Sequence, residues 1–499
     1  MLLIRNKATM LKKLSIPHYL FLLLLASTWV VYNQQGSIND DGGLYIRQAY
    51  FFAVGDYSRA VGIYSWPLFG FLIGGLHRLT SVPLLYAAHA VDVLCFLTAS
   101  FFFLKTLRLL SSDKNITLAG FLVLITSIPI VDDYLAMVLR DHGMWAGFMA
   151  GVYFFLRWRQ APTWSSALLW QSSFLIGTLF RPEVFVFNLL LPLVNVALPP
   201  KGKAGLTSLL QSASLLLAIG LGLLILVLVK LGVYGDASIN LARLTEVYER
   251  PIAFIQKFLT PLPVVTSDVY LASVIRHHPL VLKLSFLSGV MVYKWLVAIG
   301  LLHAAAIYTA LKYHLVKGQE LTLLWTLFLI TLLISIANFI LSFVDTNRYW
   351  LMSYWLVYLL AALGLTHWIK KIGKPDRPAS YFYAALLGLV LAAYSLVVLF
   401  DSKPHRPQER EVIRWLKAQQ IDMGQVFFND RRLIVYAERY DIEDIALLDD
   451  VLLRAPAYIV LRASQLEQAE QNLAGYTQLM QFSSDGAVKF IVYKKQQLN

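Results

Sequence analysis

Four short stretches carry nearly all the side chains that could move a proton or hold an anion, in a chain otherwise built of Leu, Val, Phe and Ala. They are "NDDGGLYIRQA" with adjacent Asp40 and Asp41, "VLRDHGMW" with Arg140, Asp141 and His142, "LFRPEVF" with Arg181 and Glu183, and "NRYW" with Arg348 and Tyr349. A carboxylate can take the proton of a hydroxyl nucleophile. A carboxylate beside an imidazole can also hold a divalent metal, which gives Asp141 and His142 a second reading. A guanidinium donates a planar fork to phosphoryl oxygens, so Arg348 beside Tyr349 suits a phosphate at headgroup depth, while Arg181, expensive to hold near lipid, calls for a bound partner.

Each stretch has a plainer reading. Asp40 and Asp41 could be solvated residues at a helix end, and Asp141 could open a helix by facing its positive dipole. Arg181 and Glu183, separated by a helix-stopping Pro182, could cap two helices and pair with each other. Arg348 could snorkel and Tyr349 could belong to an aromatic belt.

The elements that position these residues are membrane helices. Of 499 residues 58% are hydrophobic and 15% charged, and the mean hydropathy of +0.60 lies above that of soluble globular proteins. Apolar segments near 14–34, 82–110, 115–131, 143–158, 164–180, 184–199, 207–232, 286–312, 321–343, 350–369 and 380–400 give about eleven spans. Lys12, Lys13, Lys105, Arg108, Lys114, Arg157, Arg159, Lys201, Lys203, Lys312, Lys317, Lys370, Lys371, Lys374 and Arg377 then fall on one side. The positive-inside rule makes that side cytoplasmic, with the N-terminus inside and the C-terminus outside. The net charge of +13 is mostly this asymmetry, which excludes nucleic-acid binding as its explanation. The first apolar segment follows a basic flank without a small-residue cleavage site and reads as a retained signal anchor. The single cysteine, Cys95, leaves no internal disulfide and no thiolate metal site.

On the opposite face lie the acidic loops. After Asp41 the glycines at 42 and 43 free the backbone, and an amphipathic helix follows with Tyr45, Tyr50 and Phe52 toward the headgroups. "YSWPLFGFLIGGLHRLTS" reads as a second interfacial helix. The long 233–285 loop reads as further interfacial helices, and His277–His278 before Pro279 reads as a polar turn. Beyond residue 401 a charged helix, the strand-like "QVFFND" and "AYIVLRA", a helical "SQLEQAEQNLAGY" and the alternating "AVKFIVYKK" make a small α/β domain of about 100 residues. "NDRR", residues 429–432, reads as a solvated turn. The division is thus a membrane domain over 1–400 and an outer domain over 401–499.

In order and kind, these stretches resemble the GT-C superfamily of integral-membrane glycosyltransferases, in particular the bacterial aminoarabinose transferase of lipid A and the protein O-mannosyltransferases. "NDDGGLYIRQA" is similar to the acidic first-loop motif, "YSWPLFGFLIGGLHRLTS" to the helix after it and "VLRDHGMWAGFMAGVYFFLRW" to the second acidic loop. "LFRPEVFVFNLLLPL" is similar to the Arg-Pro-Glu turn and "NRYWLMSYWLVYLLAAL" to the late Arg-Tyr turn. The resemblance covers about residues 14–370; "SWP" stands where relatives often have two prolines.

It implies an all-helical polytopic domain with a small periplasmic α/β domain in a bacterial inner membrane. It also implies transfer of a sugar from a polyprenyl-phosphate donor to a lipid, glycan or protein acceptor on the outer face, without a nucleotide. Asp41 is then the candidate base, supported by Asp40, with Asp141 orienting the acceptor or holding a divalent metal with His142. Arg348, Tyr349 and Arg181 would bind the lipid phosphate, with Tyr45, Arg140 and Glu183 in support. Two other classes stay open: an undecaprenyl-linked glycan ligase or polymerase, and a lipid-linked sugar transporter or flippase. A transporter would place charges and helix breaks near mid-span, whereas here the polar residues gather at the outer ends.

Overall fold

The computed structural model describes residues 14–34, 38–64, 66–200, 206–234, 278–342, 347–372, 378–400, 407–441, 456–465, 475–484 and 487–496, with isolated positions between 249 and 277 and at 473. Most of the 233–285 loop, Asp345 and much of the 464–476 segment lie outside the described residues. Among the described residues each expected span overlaps a helix, but only five helices there are long and apolar enough to cross a membrane by length and composition: Ile16–Asn33, Leu84–Leu110, Gly318–Phe339, Arg348–Ile372 and Phe382–Phe400. Two expected spans are re-cut. The helix expected over 115–131 runs only Ile116–Ile125, because Ser127 and Pro129 open a separate π turn, Ile128–Asp132. The helix expected over 286–312 begins at Pro279 and bends at Gly300, whose φ of 72° interrupts the hydrogen-bond ladder.

The chain forms two compact units. The first comprises Met1–Ala26, Cys95–Tyr134 and Asp141–Leu399. Its core helix is Leu351–Ile372, in which every side chain from Leu351 to Leu365 is buried, as expected of a helix apolar on all faces. Trp355 of this helix packs on Phe96, Phe103 and Trp145. The hydroxyl of Ser353 donates to Thr331 at 2.8 Å, so a polar group deep in the bundle has its partner. The Asp141–Gln160 and Trp164–Phe180 helices approach closely where Gly147 meets Gly177: a methyl on Gly147 would stand 2.6 Å from the Gly177 Cα.

The second unit comprises Ser27–Leu94, Leu135–Arg140 and Phe400–Asn499, joining the first-loop helices to the tail. Asp40–Val54 is one helix, capped by the Asn39 side chain on the Gly42 N–H at 2.8 Å. Gly42 and Gly43 therefore lie inside a helix rather than freeing the backbone ahead of it. Their role is close approach, since a methyl on Gly43 would stand 3.1 Å from the Cβ of Arg431. Helices Tyr57–Ile63 and Leu68–Thr80 follow, and Tyr45 is buried with its ring against Tyr64 and Phe69.

The tail is α/β. Strands β1 (Val426–Phe428), β2 (Tyr458–Arg462), β3 (Tyr476–Ser484) and β4 (Ala487–Lys495) form a sheet of order β1-β2-β4-β3. β1 runs parallel to β2, with Val426 opposite Tyr458, and the other pairings are antiparallel. Helices Pro407–Ala418 and Arg431–Tyr436 cover one face through Val412, Leu416, Leu433, Phe428, Val460 and Val492. Tyr476, expected to end a helix, instead opens β3. In "NDRR", read as a solvated turn, Asp430 and Arg432 are buried at 2% exposure each.

Candidate functional site

In the helical unit three helix junctions converge on one carboxylate. Asp141 opens the Asp141–Gln160 helix, where the helix dipole favours a negative charge, and is completely buried. Arg181 is the extended residue between the Trp164–Phe180 helix and the Pro182–Val184 turn. Arg348 sits in the Asn347–Trp350 turn that leads into the core helix. Arg181 Nη1 reaches Asp141 Oδ1 at 2.5 Å, while Arg348 Nε and Nη2 both donate to Oδ2 at 2.8 Å. Glu183 accepts from Arg181 Nη2 at 3.0 Å, and the Arg181 guanidinium lies over the Tyr349 ring, 5.3 Å from its centre. Burial alone would pull the Arg181 guanidinium down, but Asp141 and Glu183 outweigh it and hold it above its ordinary value.

This arrangement absorbs Arg181, Glu183, Arg348, Tyr349 and Asp141 into one cluster, with two positive and two negative charges. The pairing of Arg181 with Glu183 expected of two capped helices is present, with Asp141 added as a third partner. One member was not anticipated. The Tyr134 hydroxyl accepts the backbone N–H of Arg348 at 3.0 Å, and burial, reinforced by Asp133, raises its phenol above the ordinary value. Nothing in the local sequence marks Tyr134, because its partner lies 214 residues on.

The metal reading of Asp141 and His142 fits poorly. Both Asp141 oxygens face guanidinium groups, the wrong surroundings for a cation. His142 is fully buried with its ring edge-on to Trp145 at 4.5 Å. Among the described residues no three His, Cys, Asp or Glu side chains gather as a metal site.

The second unit holds the other candidates. Asp40 and Asp41 occupy the first turn of the Asp40–Val54 helix. Asp40 lies 3.3 Å from Arg432 Nε and 3.4 Å from Arg462 Nη2. Behind it, Asp430 Oδ2 accepts from Arg432 Nη2 at 2.8 Å and from both Nε and Nη2 of Arg462, while Glu409 pairs with Arg432 Nη1 at 3.1 Å. Burial pushes the Asp430 carboxyl up and the guanidinium of Arg462 pulls it back. The charge-assisted hydrogen bonds from Arg432 and Arg462 favour the ionised carboxylate against that burial. Arg140 lies over the Tyr64 ring at 5.0 Å.

No family model and no curated protein matches the chain. Its fold does match solved structures. ArnT from Cupriavidus metallidurans, bound to undecaprenyl phosphate, aligns over 96% of this chain and 98% of its own, with a TM-score of 0.55 at 12% identity. The archaeal oligosaccharyltransferase AglB from Archaeoglobus fulgidus, in complex with an inhibitory peptide and a dolichol-phosphate, aligns over 96% of this chain and 74% of its own, with a TM-score of 0.51 at 12% identity. At this identity the likeness is one of fold: the chain shares the fold of these two solved membrane proteins.

Proposed function

We propose that the protein transfers a sugar from a polyprenyl-phosphate donor to a lipid, glycan or protein hydroxyl at the outer face of a bacterial inner membrane, its N-terminus cytoplasmic and its C-terminal domain periplasmic. The observation that carries this reading is the Arg181–Asp141–Arg348 cluster. Two guanidinium groups from separate helix junctions are fixed on one buried carboxylate, with Arg348, at 15% side-chain exposure, the more open of the two. A buried ionic cluster adds little net stability over apolar packing, so its retention calls for another role. Binding a lipid phosphate at headgroup depth supplies one. ArnT is bound to undecaprenyl phosphate and AglB is in complex with a dolichol-phosphate.

The reaction follows from that assignment. The acceptor oxygen attacks the anomeric carbon, the bond from that carbon to the phosphate oxygen breaks, and its electron pair leaves with the lipid phosphate. The acceptor proton passes to Asp41, the base, with Asp40 beside it. Arg348 stabilises charge gathering on the departing phosphate, and Arg181 backs it. A guanidinium has five N–H donors, enough for a carboxylate and a phosphoryl oxygen together. Asp141 serves as the positioning carboxylate of the two arginines, a role that replaces acceptor or metal binding.

The test is incubation of the purified protein with a panel of polyprenyl-phosphate sugars and acceptors, following release of free lipid phosphate. Release from one donor, lowered about 10²-fold or more in Asp41→Asn, is the expected result. Undiminished release from Asp41→Asn rejects the base. No release from any donor moves the assignment to a ligase or a transporter.

A further inference from the structure

The tail has no catalytic stretch of its own, yet its most buried charges face the first loop. We infer that Arg432 and Arg462 of the C-terminal domain are positioning residues for the first-loop carboxylates: they hold Asp40 and thereby fix the helical turn that bears Asp41. The inference rests on the reading of Asp41 as the base.

Charge balance is the first argument. Arg432 pairs with Glu409 and Asp430, and Arg462 with Asp430, so both guanidinium groups have partners within the tail besides Asp40. Asp40, at 57% side-chain exposure, is the partner that gains a fixed position. The two arginines cannot follow it, since Arg432 is 2% exposed and both are tied to Asp430.

The second argument is the face of the helix. Asp40 meets Arg432 and Arg462, Gly43 lies against the Arg431 backbone, and Tyr50 stacks on Tyr440 with ring centres 5.3 Å apart. Arg47, spaced between them, is buried and feels the charge of Asp441. Positions 40, 43, 47 and 50 form one stripe of a helix. Just ahead of it the Ile38 N–H donates to the Tyr436 hydroxyl at 3.2 Å. Asp41 stands about 100° round from Asp40, off the stripe the tail occupies. The tail therefore grips the helix along one side, the side that bears Asp40.

The experiment uses the full-length protein and two variants, Arg462→Gln and Asp40→Asn, alone and combined. Arg462→Gln is expected to lower kcat about tenfold while the donor KM moves less than about twofold, because a misplaced base slows the chemical step without weakening phosphate binding. In the Asp40→Asn background the same change adds little, since it acts through the charge already removed. Hydrogen exchange of amides 40–46 should quicken in Arg462→Gln while β2 and β4 keep their protection. If Arg462→Gln misfolds the strands, Arg462→Lys takes its place in every arm. Wild-type kcat in that variant, or an equal loss added to Asp40→Asn, overturns the inference. If the wild-type protein releases no lipid phosphate from any donor, the proposed reaction fails, and the exchange data still decide: unchanged protection at 40–46 overturns the positioning role.

Discussion

The two charged clusters solve different problems with the same residue types. In the helical unit, Arg181, Glu183, Asp141 and Arg348 come from short turns between helices, and each stands out because it interrupts an apolar run. In the second unit, Asp40 meets Arg462 across 422 positions, and Asp430 and Arg432 lie in what reads as an ordinary polar turn. A charge that stops a hydrophobic segment is conspicuous by cost, because lipid gives it no solvent. A charge in a soluble domain is unremarkable until tertiary pairing buries it. The clusters also differ in how much each carboxylate carries, and substitutions can separate them.

The largest effect is expected at Asp141. Asp141→Asn removes the charge of the carboxylate that Arg181 and Arg348 share and leaves the two guanidinium groups close together. Breaking a buried ion pair by removing one partner costs about 3–5 kcal/mol. A fall in thermal midpoint larger than that of any single tail carboxylate variant is the expected outcome. A stable Asp141→Asn protein would mean that the cluster is not the anchor of the helix junctions.

Next comes Arg348→Met, which keeps the length of the side chain and removes its charge. If Arg348 stabilises the departing phosphate, kcat falls by about 10²- to 10³-fold, as for loss of one preorganised donor at a developing oxyanion. Lipid-phosphate release measured at saturating donor checks this. An unchanged kcat with a raised KM would make Arg348 a binding residue only.

The same contrast explains what the sequence made legible. The helices, the three interrupting turns and the final strand of the tail could be read because hydropathy and period fix them locally. The π turn at Ile128–Asp132 could not, since it depends on how Ser127 caps Ile130 at 3.3 Å inside the bundle. Tyr134, Asp430, Arg432 and Arg462 were missed or misread because their partners are far away in sequence. Gly42 and Gly43 were misread for a related reason: glycine signals loose backbone when read locally, whereas here it allows a helix to lie against Arg431.

That approach can be tested directly. Gly43→Ala would place a methyl 3.1–3.2 Å from Arg431 backbone and Cβ atoms, tight enough that the tail or the helix must shift. Overpacking of this kind costs about 1–3 kcal/mol, offset in part by the helix propensity of Ala. Loss of stability at Gly43→Ala with no loss at Gly62→Ala, where nothing stands within 4 Å, would confirm close packing.

The smallest effect separates burial from pairing. Arg439 Nε donates to Asp441 at 3.2 Å on the tail surface, with the carboxylate 62% exposed. The hydrogen bond from Arg439 holds the Asp441 carboxyl below its ordinary value. A folded carboxyl that is more acidic than its unfolded counterpart contributes stability above the unfolded pKa and loses it as pH falls through the folded one. Because water screens the pair, that contribution is only about 0.2–1 kcal/mol. Asp441→Asn should therefore lower the thermal midpoint slightly at neutral pH, and the difference should close as the pH drops below the usual carboxylate range. A gap as large as that of Asp141→Asn would show that pairing alone, rather than burial of the paired charges, sets the strength of these clusters.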